Sequence, residues 1–360
     1  MALVQRLLDV SCAGLPLMYR TDKQTFAHTR RQDRLEGTRV DGVSLRYGAI
    51  VLLGARLLDE ESQRKIFGGE LAIDFCSRLI ADLKCVDSLG DAALAAWAAA
   101  EMKHPDLGVT LGHLARLANT SSNLFTVDAA WALSALVAAR HQFDTAKEAR
   151  SLCTRLTRGF GTDAGVFPHW IDPTPATWYR AHLACFADQV YPIQALARYH
   201  GAFQDPVALE IADSCAAQIC DLQGEAGQWW WHYDVRTGEV IEGYPVYSVH
   251  QDAMGPMALL DLLDSGGSDH GDAVRKSLRW MECAPEVQRS LIEDDLSLIW
   301  RKVTRAEPGK LVRGVQATAS LFHRDLRLSW LNRLFPPTTI DYESRPYHLG
   351  WILYTWLEQH

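Results

Sequence analysis

Asp188 and Asp252 each stand near the start of a long apolar run, in FADQVYPIQALARY and HQDAMGPMALLDLL, and apolar or aromatic residues precede both. An ionised carboxylate among apolar neighbours is costly unless something pairs with it or uses it. Two carboxylates facing each other across a cavity suit glycosidic cleavage, in which one protonates the departing oxygen and the other activates water or attacks the sugar carbon. Asp188 and Asp252 are therefore the expected catalytic acid and base, with Asp234 as a substitute for either. His250, two residues before Asp252, is the expected tuning or proton-relay group.

Polar groups recur where other apolar runs begin: Ser44, Arg46 and Tyr47; Asp128 and Trp131; Gln189 and Tyr191; Gln251; and Arg345, Tyr347 and His348. Arg46, Tyr47, Gln189, Gln251, Arg345 and His348 are the expected substrate contacts among them. Asp128 also fits a helix N-cap that satisfies free backbone N–H groups. Arg46 and Arg345 can clamp a carboxylate or phosphate with a planar fork of donors, or can form internal ion pairs with Asp188 or Asp252.

Aromatic surface comes from residues 227–252, GQWWWHYDVRTGEVIEGYPVYSVHQD. Alternation around Arg236-Thr237-Gly238-Glu239 predicts a short β-hairpin with Gly238 in the turn, Trp229 and Trp231 on one face, and Trp230 and His232 on the other. Trp229 is expected to pack in the core. Trp230, Trp231, Tyr233 and Asp234 are expected to meet the ligand, since aromatic faces suit the C–H faces of sugars as well as cationic or hydrocarbon ligands. The segment Ala164–Asp172 aligns without gaps onto Ala226–Asp234, which places Trp170 and His169 on an adjacent unit and makes Trp170 a further expected substrate contact.

The elements that must position these groups are helices. Apolar residues recur at helical spacing near 1–18, 44–59, 62–82, 90–102, 106–118, 126–141, 143–159, 180–200, 205–221, 247–264, 269–283 and 347–358. Segments apolar all round, such as VDAAWALSALVAA, alternate with amphipathic ones, such as TAKEARSLCTRLTRGF. The first kind is enclosed by protein and the second is wet on one side, which predicts an inner and an outer ring. The gap of 62 positions between the two aligned aromatic segments divides the chain into about six helical hairpins. No low-complexity linker interrupts residues 1–360, so one domain is expected.

Composition narrows the partners. A formal charge of -8 offers no basic surface for a phosphate backbone, so nucleic acid is not the expected partner. The first twenty residues are too short and too interrupted by Arg6 and Asp9 for a membrane span or secretory signal. Eight cysteines without a C-x-x-C pair read as reduced thiols of a cytoplasmic protein. Neither a phosphate-binding loop nor a zinc-ligand frame is present, so no cofactor and no metal are expected.

Six hairpins of inner and outer helices resemble the (α/α)6 toroid of the six-hairpin glycosidases, and more distantly the barrel of terpenoid cyclases and protein prenyltransferases. The run Gln223-Gly224-Glu225-Ala226-Gly227-Gln228-Trp229 is similar to part of the QW repeat of triterpene cyclases, with Ala226 where an acid is usual. The acidic run Glu293-Asp294-Asp295 lacks the D-x-D-D spacing of a class II terpene cyclase. The resemblance implies an all-α fold and a carbohydrate-active hydrolase or lyase-like enzyme acting on an oligo- or polysaccharide by carboxylate acid/base chemistry. The alternatives are a terpenoid-cyclase-like enzyme with an isoprenoid ligand, for which a closed apolar cavity is expected, and a non-catalytic glycan-binding or assembly protein.

Overall fold

The computed structural model describes residues 2–33, 37–120, 123–172, 175–324 and 326–357. Twelve helices build a ring, and their numbering runs in chain order. The outer ones are α1 (Ala2–Gly14), α3 (Ala72–Asp82), α5 (Leu107–Thr120), α7 (Ala146–Gly159), α9 (Pro206–Asp221) and α11 (Gly271–Glu282). The inner ones are α2 (Leu45–Ala55), α4 (Leu89–Glu101), α6 (Thr126–Ala139), α8 (Ala187–Phe203), α10 (His250–Met254 continuing as Gly255–Asp264) and α12 (Pro346–Leu357). Each inner helix packs on the next and α12 closes on α2, giving an (α/α)6 toroid.

The alternation follows from what each helix must touch. On α4 the run from Ala92 to Ala100 is buried throughout, whereas on α7 only Ala149, Leu152, Cys153 and Leu156 are. Small residues let the inner helices approach closely: a Cβ added to Gly350 of α12 would lie 2.9 Å from the backbone N and Cα of Val51 on α2. The first turn of α10 is a π turn, closed by Gly255 N–H on the His250 carbonyl. Pro256 has no N–H for the Asp252 carbonyl, which instead accepts a 2.7 Å hydrogen bond from Trp356 Nε1.

Strand is more abundant than the single hairpin expected. The segment His232–Asp234 pairs with Val240–Glu242, as predicted, but also with Leu183–Cys185. Lys302–Thr304 lies between Val246–Tyr247 and Thr339–Asp341, and Thr29–Asp33 between Gly37–Asp41 and Glu343–Ser344. Several of these strands lead directly into α2, α8, α10 and α12. Chain entering the mouth of the ring leaves solvent, so its N–H and C=O groups need partners in neighbouring entry segments. For the same reason the expected helix near 180–200 begins only at Ala187. The expected helix near 62–82 is two, Glu60–Ile66 and Ala72–Asp82, divided at Gly68 and Gly69, both with positive φ.

The aligned aromatic segments share a hydrogen-bond pattern. Gln189 Oε1 accepts from Phe167 N–H at 2.7 Å and its Nε2 donates to the Cys185 carbonyl at 3.2 Å. Gln251, 62 positions on, accepts from Trp229 N–H at 3.3 Å and donates to the Tyr247 carbonyl at 3.3 Å. The repeat is thus a repeated device in which the first turn of an inner helix holds the preceding loop.

Close packing of α2 on α12 has a measurable consequence. Gly350→Ala should destabilise the protein by about 1–3 kcal/mol in urea melts, because backbone must move. Gly112→Ala on outer helix α5, where an added Cβ meets nothing within 4 Å, should stabilise by about 0.5–1 kcal/mol. Similar effects of the two changes would refute the close approach.

Candidate active site

The N-terminal ends of all six inner helices surround one cavity of about 490 Å³. Arg46 and Tyr47 come from α2, Ser88 from the cap of α4, Asp128 and Trp131 from α6, Tyr191 from α8, His250 and Met254 from α10, and Tyr347 from α12. Phe125, His169, Trp231, Tyr247 and Arg301 enter from the loops. Each helix presents the positive end of its dipole here, so the mouth favours negative charge.

Among the described residues Asp128 is the one carboxyl group that lines the cavity. It is not an N-cap of its own helix, since α6 is preceded by Phe125 and Asp128 lies in the first turn. It sits over the start of α4, where a Cβ on Gly90 would come within 2.3 Å of Asp128 Oδ1, so glycine makes room for the carboxylate. Burial pushes its pKa up from 3.8, against opposing effects from Arg46 and the Gly90 N–H. Arg46 itself pairs with Asp91 (Nε to Oδ1, 2.5 Å) and stacks on Trp131, 5.2 Å from the ring centroid. The ion pair considered for Arg46 therefore exists, with a different acid.

Asp188 does not line the cavity. Its carboxylate is fully buried, with both oxygens 3.0 Å from His169 Nδ1 and one accepting the Cys185 N–H at 2.7 Å. It acts on the cavity through His169, whose side chain is 31% exposed and forms part of the wall. Burial lowers the His169 pKa, but the hydrogen bond and charge of Asp188 outweigh it, and the net displacement is upward. With Nδ1 committed to Asp188, Nε2 is the ring nitrogen that can serve a ligand. His169, Cys185 and Asp188 also bring ligand-type atoms within 4.8 Å of one another. They fit a hydrogen-bonded cluster better than a metal centre, because burial and the neighbouring Asp188 push the Cys185 thiol well above its usual pKa and oppose thiolate formation.

Asp252 is buried away from the cavity and bonds His348 Nε2 at 2.7 Å; burial raises its pKa despite that partner. It does not face Asp188 across a cleft. Other expected contacts are likewise held by the fold. Gln189 and Gln251 clamp loops, Tyr233 is in the core, and Trp230 donates to the Leu222 carbonyl at 2.8 Å. Asp234 pairs with Arg236 at 2.6 Å and Arg345 with Glu343 at 2.6 Å. Trp170 packs edge-on against His169, 4.4 Å between centroids. Trp229 is enclosed, stacked 5.4 Å from Phe186.

Arg46, Tyr47, Trp231 and His250 are the expected site residues that do share the cavity. Trp231 and His250 are parallel, 6.0 Å apart. Sequence reasoning missed Tyr247, which stands in a short strand although it falls at the edge of the expected helix near 247–264, and Arg301, which stands outside any helix, and it undervalued Asp128 and His169. Arg301 lies 5.4 Å from the Tyr247 ring centroid and 3.3 Å from Glu343, which also serves Arg345.

No family model and no curated protein matches the sequence. Solved structures do match in shape. An unsaturated glucuronyl hydrolase specific for heparin has TM-score 0.59 at 14% identity, covering 98% of each chain. A variant of unsaturated glucuronyl hydrolase from Streptococcus agalactiae, complexed with dGlcA-GalNAc6S, has TM-score 0.60 at 11% identity, covering 98% of this chain and 90% of that one. At these identities the likeness establishes the six-hairpin toroid fold.

His250 is held neutral. Burial first, then the charges of His348 and Arg301, bring its pKa from 6.5 to about 3. The unfolded chain takes up the proton below pH 6.5 while the native ring does not. Stability from this group is therefore complete above pH 6.5 and is lost as pH falls towards 3, at about 1.4 kcal/mol per unit. Urea melts should show this slope, and His250→Phe should reduce it by the equivalent of one proton. An unchanged slope in the variant would show that His250 is protonated in the native state.

Proposed function

We propose that the protein is a glycoside hydrolase acting on an oligo- or polysaccharide at a sugar that carries a carboxylate. The observation that carries this reading is the shared wall of the cavity: Asp128 and the Asp188-held His169 beside Arg46, ringed by Tyr47, Trp131, Tyr191, Trp231, Tyr247 and Tyr347. Aromatic faces provide platforms for a sugar ring. Arg46, Arg301 and six converging helix N-termini favour a bound anion. The names of the two glucuronyl hydrolases that share the fold support an acidic sugar as the substrate class.

Burial raises the Asp128 pKa from 3.8, and, against the lowering effect of burial, the hydrogen bond and charge of Asp188 raise that of His169 from 6.5. The proposed reacting state has Asp128 as the carboxylate and His169 as the imidazolium. In the proposed step the imidazolium donates its proton to the departing oxygen as the glycosidic C–O bond breaks. Asp128 takes a proton from the water whose oxygen adds to the sugar carbon, so one water is divided between the products. Asp188 keeps the imidazole oriented and stabilises its charged form. The isoprenoid alternative is disfavoured by the charged groups in the wall, since a carbocation cavity is expected to be almost wholly apolar. Eight free thiols support a cytoplasmic location.

Incubation with uronate-terminated and neutral oligosaccharides, followed by mass spectrometry, should show uptake of one water for the uronate series. Asp128→Asn should lower kcat by about a thousandfold with the fold intact. The pH profile should be bell-shaped, with an acid limb from Asp128 and an alkaline limb from His169, and His169→Gln should abolish the alkaline limb in its residual activity. Full activity of Asp128→Asn, or equal turnover of neutral sugars, would defeat the reading.

A further inference from the structure

A second cavity, of about 650 Å³, opens beside the first and shares Trp231 with it. One wall is the helix Leu311–Phe322; the other contains Arg180, Leu183 and His232. Among the described residues its charged lining is exclusively cationic: Arg180, Lys310 and Arg313. Among the described residues none of the three has a carboxylate partner, and Glu307, close in sequence to Lys310, is turned to the Val312 N–H. Arg313 lies 6.0 Å from the centroid of Trp231. Trp231 stands at the junction with the first cavity, and its Nε1 and the Nδ1 of neighbouring His232 are buried without hydrogen-bond partners among the described residues. The rings of Tyr179 and Phe322 are exposed at 52% and 82% and also line the groove.

Like charges held together without counter-charges repel one another, and buried polar atoms without partners cost stability. The unbalanced charge is explained if an anionic ligand completes the site. We propose that this groove is the subsite for the sugar next to the one cleaved, and that Arg180, Lys310 and Arg313 bind a sulfate or carboxylate substituent on it. The position relative to the cleaved sugar rests on the hydrolase reading; the anion preference does not. The exposed rings of Tyr179 and Phe322 provide stacking surface. Burial, then the charges of Arg313 and Arg180, hold the His232 pKa at about 3, so its ring is neutral and adds no charge of its own at neutral pH.

Calorimetric binding of a heparin-derived tetrasaccharide, and of its desulfated but still carboxylated counterpart, to the full chain tests the proposal. The Lys310→Gln/Arg313→Gln double variant should lose about tenfold or more in affinity, the scale of one charge-assisted contact. Arg180→Gln, on the opposite wall, should act in the same direction if both walls hold the anion. A greater loss for the sulfated ligand identifies sulfate as the recognised group, and equal losses identify the carboxylate. Unchanged affinity in both variants, or no binding of either tetrasaccharide by the parent protein, overturns the proposal. Weakened binding in the variants with no hydrolysis by the parent sinks the hydrolase reading alone; hydrolysis with unchanged affinities sinks the groove alone.

Discussion

A carboxylate with no exposed surface survives inside this ring because it is surrounded by donors. His169 Nδ1 stands 3.0 Å from both oxygens of Asp188, and the Cys185 N–H is 2.7 Å from one of them. Removing either donor set would leave buried charge uncompensated, which costs several kcal/mol in typical cases. The pairing ties the first turn of α8 to the loop that leaves α7, and so links one hairpin to the next. It also fixes the ring of His169 in the cavity wall. Fold and candidate chemistry meet at this one contact.

The toroid explains why such a contact is available. Inner helices enclosed on every side place their side chains against protein, and their first two turns open on the cavity. All six begin at the same end, so polar residues in those turns converge and the helix dipoles reinforce one another. At the opposite end, the last turns of α4, α6, α8 and α10 surround a separate cavity of about 410 Å³. The glutamines at the starts of α8 and α10 pin the loops that precede them, which keeps His169 and Trp231 in place.

The ring was legible in the sequence because its physics is periodic. Enclosed helices need no polar face, so VDAAWALSALVAA and its counterparts declare themselves, and the aligned segments 62 positions apart mark a device that the structure repeats. The site was less legible because its contacts join distant positions. Asp188 and Asp252 could be recognised as carboxyl groups in apolar surroundings, but not that His169 and His348 would occupy them. Asp128 resembles an N-cap in sequence, and its role depends on Gly90, a residue of another helix whose missing Cβ makes room for it. Tyr247 lies in a short strand and Arg301 immediately before another, and their pairing is set by three separate chain segments. The region 305–345 carries no strong period, so the helix that builds the basic groove was not anticipated.

The central claim is that Asp188 holds His169 as a proton donor facing the cavity. The most direct measurement is the NMR titration of the His169 ring carbon-bound proton in the parent protein and in Asp188→Asn. The account predicts a pKa above 6.5 in the parent and a clear fall in the variant, because burial lowers the value once the carboxylate is gone. A His169 pKa at or below 6.5 in the parent, or one that Asp188→Asn leaves unmoved, would contradict it.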